Sequence, residues 1–113
     1  MDKMIKNEKD LLGYIIEVLS SFSEEGLMNL ETLGEKMFEL QSVHGLPASI
    51  TASLMEKQYK LNRAQMVVVI QEYLSRMLDH KREAGAEKSN IVKQRQTNVK
   101  QLLNYINTGD FDL

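Results

Sequence analysis

The sequence predicts an all-α fold: a small bundle of four to five helices with a C-terminal helical arm. Three observations carry this. A single Pro and six Gly in 113 residues leave long uninterrupted segments, which favours helices over a turn-rich β fold. Apolar residues recur three and four positions apart through most of the chain, the period of a helix with one buried face. The apolar fraction of 42% is that of a folded domain rather than a disordered chain.

The first helix is expected over residues 8–22. Leu11, Ile15, Val18 and Phe22 form its stripe, and Leu12, Ile16 and Leu19 widen it. So broad a face predicts burial on more than one side. Ser23-Glu24-Glu25-Gly26 then reads as a break, and a second helix is expected from Asn29, where a side-chain cap can form. Leu30, Leu33, Met37, Leu40 and Val43 give that helix its stripe. Gly45 ends it and Pro47 follows, a common stop signal.

Pro47 suits the start of a third, shorter helix, because its missing N–H is not needed there. Ile50, Leu54 and Met55 are its expected inward positions, up to about Tyr59. Asn62 followed by Gln65 has capping-box spacing for a fourth helix from Arg63 to about Lys81. The run Met66–Ile70 is apolar around most of a turn, so this helix should be central or lie at a subunit interface. Ala84-Gly85-Ala86 is the expected hinge, and Ser89 to Asn107 the last helix. Its other face is rich in Gln and Asn: Gln94, Gln96, Asn98, Gln101 and Asn104. On this reading residues 1–85 are a helical core domain. Residues 86–113 are an amphipathic helix with an acidic, apolar tail.

The net charge of −2 hides an asymmetry. Residues 1–55 hold four Lys and nine Asp/Glu, a net −5, whereas residues 56–100 hold ten Lys/Arg and five Asp/Glu, a net +5. Such a split favours attraction between halves, between copies, or between the second half and a polyanion. The absence of Cys removes disulfides, thiolate metal sites and cysteine nucleophiles. The chain has no apolar run long enough for a bilayer, and its opening residues lack the apolar centre of a signal peptide. A cytoplasmic protein is the expectation.

Chemistry is sparse. The two histidines, His44 and His80, fall on different helices without a metal-ligand spacing around them. No phosphate-cradling Gly loop, nucleophile elbow or zinc-protease motif occurs. A non-enzymatic protein without metal, cofactor or small-molecule substrate is therefore expected. It would work through its central helix and its arm on a protein partner or on a second copy. Val92, Val99, Leu102, Leu103 and Ile106 are the expected anchors of the arm. Phe111 and Leu113 alternate with Asp110 and Asp112 in a tail that either docks on a partner or folds back.

The alternative is a nucleic-acid-binding regulator. Met55, Tyr59, Leu61, Met66 and Val69 fall on the five apolar positions of a helix-turn-helix, with Lys60-Leu61-Asn62-Arg63 as its turn. Glu56 stands where a small residue is usual and Lys60 where Gly is usual. Val67 and Val68 would face the groove, where readers of base edges are wanted. Lys57, Lys60, Arg63, Arg76, Lys81 and Arg82 are the candidate phosphate contacts.

Two resemblances follow from these residues. The Met55–Val69 unit, with the ending Asp110-Phe111-Asp112-Leu113, resembles the late-transcription coactivators of large tailed phages. That resemblance implies binding to RNA polymerase and a tail that docks on a sliding clamp. Separately, Ile50 to Gly85 is similar in helical pattern to the opening segment of iron–sulfur serine dehydratases. No Cys is present to hold a cluster, which excludes that activity.

Overall fold

The computed structural model describes residues 5–111 and shows five helices. They are α1 (Glu8–Ser20), α2 (Glu24–His44), α3 (Ala48–Tyr59), α4 (Arg63–Glu83) and α5 (Lys88–Thr108), with no strand among the described residues.

The helix ends follow local hydrogen-bond chemistry. Asn7 caps α1 by accepting from the Asp10 N–H. Ser23 does the same for α2, accepting from the Gly26 N–H at 3.1 Å. This corrects the expected start of α2 at Asn29. The segment Ser23-Glu24-Glu25-Gly26 is a cap and first turn, not a break, and its two Glu suit the positive end of the helix dipole. Gly45 ends α2 in the left-handed conformation at φ 67°. Asn62 and Gln65 form the reciprocal capping box expected at α4, at 2.9 and 2.8 Å. Lys60 takes the left-handed turn position, φ 52°, where Gly is usual.

α4 is the axis of the molecule. Met66, Val67, Val68, Val69 and Ile70 are each at most 3% exposed. Five consecutive buried positions leave that stretch of helix no free side, and α1, α2, α3 and α5 all pack against it. The most extensive pairing is with α2. There Gly34 lets the two backbones approach closely: a Cβ at this position would stand 2.6 Å from the Val69 carbonyl oxygen.

α5 is less separate than expected. It lies along α4, and Leu102, Tyr105 and Ile106 belong to the same core as Leu11, Met37 and Met55. At the boundary the chain makes a tight turn, with Gly85 at φ 80°. The radius of gyration, 13.8 Å, is close to the about 13 Å of a compact chain of this length. Asn107 ties the two ends of the described chain together. Its Oδ1 accepts from the Ile5 N–H at 3.1 Å and its Nδ2 donates to the Ile5 carbonyl at 2.7 Å.

Several expected core positions lie outside. Leu12 and Ile16 are 56% and 64% exposed, so α1 is buried on one side only. Val43, expected in the α2 stripe, is exposed, and Met28 beside the start of that stripe is exposed too. On α3 the inward face is Thr51, Ala52 and Met55, whereas Ile50 and Leu54 are about half exposed, at 49% and 45%. Ile50 and Leu54 share one face at i,i+4 spacing, and so do Leu12 and Ile16.

Candidate functional site

The expected arm anchors divide between core and surface. Leu102, Ile106 and Phe111 are buried within their own chain, Val99 and Leu103 are half-buried, and Val92 is exposed. The first three hold α5 and the tail to the bundle, so in this conformation they are not available to a partner. Phe111 folds back onto the bundle: its ring meets the Tyr73 ring of α4 edge-on at 6.1 Å. The backbone leading to it is fixed by Asn104 Nδ2 donating to the Asp110 carbonyl at 2.8 Å. Leu113 lies outside the described residues.

The candidate phosphate contacts do not form one free set. The Arg63 guanidinium donates to the Ile106 carbonyl at 3.0 Å and stands 6.0 Å from the Tyr105 ring centre. It is thus a strut between α4 and the end of α5. Arg76 bridges Glu72 at 2.9 Å and Glu35 at 3.3 Å. Arg82 lies 3.5 Å from Asp79, and Lys81 donates to Gln94 Oε1. Of the six, only Lys57 and Lys60 have no side-chain partner among the described residues. Val67 and Val68, the positions a groove reader would present, are 0% and 3% exposed. The α3–α4 corner therefore has helix-turn-helix spacing, but its second helix is enclosed by its own bundle.

Glu72 is shaped by the α2–α4 seam. Burial pushes its carboxyl above the usual range, Arg76 pulls it back, and Glu31 and Glu35 across the seam add to the upward push. Burial likewise raises the Tyr73 hydroxyl.

Two clefts flank α5. The larger, about 680 Å³, opens between α3 and the end of α5. Ser49, Ser53 and Glu56 line one wall, with Tyr105, Asp110 and Phe111 on the other. The Tyr105 hydroxyl donates to Glu56 Oε2 at 3.1 Å across it. Burial, then the hydrogen bond and charge of Glu56, hold that hydroxyl far above the ordinary tyrosine range. The bond ties α3 to the end of α5. The second cleft, about 470 Å³, lies at the α4–α5 turn, where His80, Lys81 and Lys93 supply the ionisable lining.

The Gln/Asn face of α5 is not wholly turned to solvent. Part of it faces α4 instead. Gln94 Nε2 donates to Asn98 Oδ1 at 2.8 Å, and Asn98 Nδ2 approaches the Leu74 carbonyl of α4 at 3.5 Å. Gln101 continues the row, with a buried Oε1 that has no hydrogen-bond partner among the described residues. Positions 94, 98 and 101 have the same i, i+4, i+7 spacing sought in apolar stripes, which is the signal that could have located this seam.

Among the described residues no three His, Asp or Glu side chains are placed to hold a metal, and no helix is long and apolar enough to cross a membrane. Compared with protein-family models, with curated proteins and with solved structures, the chain matches none.

Proposed function

We propose that this chain is a small non-enzymatic helical interaction protein, an adaptor or regulator, which presents apolar helix faces to a protein partner or to a second copy of itself. One observation supports this reading most. Of the seven large apolar side chains exposed among the described residues, six (Leu12, Ile16, Met28, Val43, Ile50 and Leu54) lie in the acidic first half, and only Val92 lies in the basic second half. Single exposed apolar residues are ordinary. Two pairs at i,i+4 spacing on α1 and α3 are the more telling feature, because each pair forms a ridge that a partner helix can cover. Such burial contributes about 25 cal/mol per Å² before ordering costs.

This moves the proposed contact from the arm to the outer faces of α1 and α3, with Val92 as the arm's exposed contribution. The rival reading, a nucleic-acid-binding regulator, has less support because four of its six cations already have partners within the chain.

Deleting residues 87–113 is a poor test, because it removes Leu102, Tyr105, Ile106 and Phe111 from the core. Two surface double variants are better: Leu12→Glu with Ile16→Glu, and Ile50→Glu with Leu54→Glu. Both should keep the helical circular dichroism of the parent. At least one should lose self-association in light scattering or lose a partner captured by the parent. If both retain the parent's mass and partners, the reading fails.

A further inference from the structure

The cleft at the α4–α5 turn has an unusual lining. His80 and Lys81 come from α4 and Lys93 from α5, and Asn90 and Thr97 add neutral hydrogen-bonding groups. No carboxylate lines it. Three acids flank the cleft in sequence: Asp79, which is paired with Arg82 at 3.5 Å, and Glu83 and Glu87, beside the lining residues Ala84 and Ala86. Its volume of about 470 Å³ is in the range of small-molecule sites.

Of the two lysines, Lys81 is held in place and Lys93 is exposed. Lys81 Nζ donates to Gln94 Oε1, and Gln94 is itself held by Asn98 at 2.8 Å. An ammonium carries three donors, so this anchoring leaves two for a ligand. Lys93 has no ion pair or side-chain hydrogen bond among the described residues. Two helix ends meet at this turn. The carbonyls of His80, Lys81 and Arg82 at the end of α4 are taken up by the amides of Ala84, Ala86 and Gly85 at 3.0, 3.1 and 3.1 Å. At the start of α5 Glu87 makes no side-chain cap; its carbonyl accepts from the Asn90 and Ile91 amides at 3.0 and 3.1 Å, which leaves the Lys88 and Ser89 amides at the positive end of that helix.

We propose that this cleft binds the phosphate of a small phosphomonoester, with Lys81 and Lys93 as charged donors and Asn90 and Thr97 as hydrogen-bonding partners. A polynucleotide fits less well. It needs a track of free cations, and Arg76 and Arg82, the neighbouring arginines on α4, are both paired with carboxylates.

The test is a backbone-amide NMR titration of the full chain with adenosine monophosphate, inorganic phosphate, adenosine and a short DNA duplex at matched ionic strength. The nucleotide should give saturable shifts confined to residues 80–97, and adenosine should give none. Lys93→Gln and Lys81→Gln should each weaken the nucleotide by about tenfold, the effect of one lost hydrogen bond to a charged group. Lys57→Gln, on α3, should leave the affinity unchanged. Inorganic phosphate should compete for the same residues. Three results would overturn the proposal: no saturable shift with the nucleotide, wild-type affinity in both cleft variants, or tighter binding of the duplex with shifts spread over α3 and α4.

Discussion

The two long seams of α4 are built in opposite ways. Toward α2 the seam is close and largely apolar, with Gly34 bringing the backbones together and Phe38 meeting the Tyr73 ring at 6.3 Å. Toward the first half of α5 the seam is a polar row of Lys81, Gln94 and Asn98, and only from Leu102 onward does it turn apolar. The first seam gains stability from burial and tolerates no change of volume. The second gains little net stability per hydrogen bond, because its groups exchange good bonds with water for similar bonds with each other. α5 is thus fastened at its C-terminal half and merely aligned at its N-terminal half. That difference leaves room for a cleft at the α4–α5 turn.

The largest effect should come from the apolar side. Met37, fully buried on α2, should cost about 2–5 kcal/mol when changed to Ala, whereas Val92→Ala on the exposed start of α5 should change stability by less than about 0.5 kcal/mol. Urea denaturation of both variants checks this, and equal losses would erase the contrast. Next in size is Gly34→Ala. Ala is worth about 1 kcal/mol more than Gly in a helix interior, yet its Cβ would stand 2.6 Å from both the Val69 carbonyl oxygen and the Glu72 Cβ. Overpacking of this kind typically costs about 1–3 kcal/mol. The net change should therefore be a loss, read as a lower urea midpoint. A gain would mean that the seam has slack.

How far the sequence disclosed this arrangement depended on the kind of signal. The α3–α4 corner was legible because Asn62, Gln65 and Pro47 act within one turn of themselves, and capping chemistry is local. The centrality of α4 was legible because five apolar residues in a row, Met66–Ile70, can be satisfied only by neighbours on every side. The start of α2 is hidden because Gly26, at the third helical position, has the composition of a terminator, although the Ser23 cap needs only its N–H. The orientation of α3 was hidden for another reason. Its small residues Thr51 and Ala52 sit inside, and Thr51 satisfies its own hydroxyl on the Ala48 carbonyl at 2.9 Å, so hydrophobicity pointed to the wrong face. The two clefts and the Asn107–Ile5 tie depend on long-range placement that no local pattern encodes.

The polar seam gives a smaller and more diagnostic effect. Asn98→Ala should cost about 0.5–1.5 kcal/mol, since it releases Gln94 and the approach to the Leu74 carbonyl together. Gln94→Ala should cost a similar amount. The double variant should cost less than the two singles combined, because each single already breaks their shared bond. Strict additivity in this cycle would show that the row is two separate surface contacts and not a connected seam.

The smallest expected effect is one of pH, and it tests the close seam from its edge. Glu72 has its carboxyl raised mainly by burial, against the pull of Arg76. A raised carboxyl in the folded state means that the folded chain holds this proton more tightly than the unfolded chain. Its favourable contribution is then present below the unfolded glutamate value of about 4.3 and is lost as pH rises through the higher folded value. Glu72→Gln removes that dependence. Thermal unfolding followed across this window should show a flatter profile for the variant than for the parent, with the two converging toward the acid end. The opposite sign, a variant that loses stability relative to the parent only as pH rises, would mean that the pairing with Arg76 outweighs burial. The α2–α4 seam would then be held at its edge by charge, as the α5 seam is held by polar groups, and the contrast between the two would shrink to the stretch around Gly34.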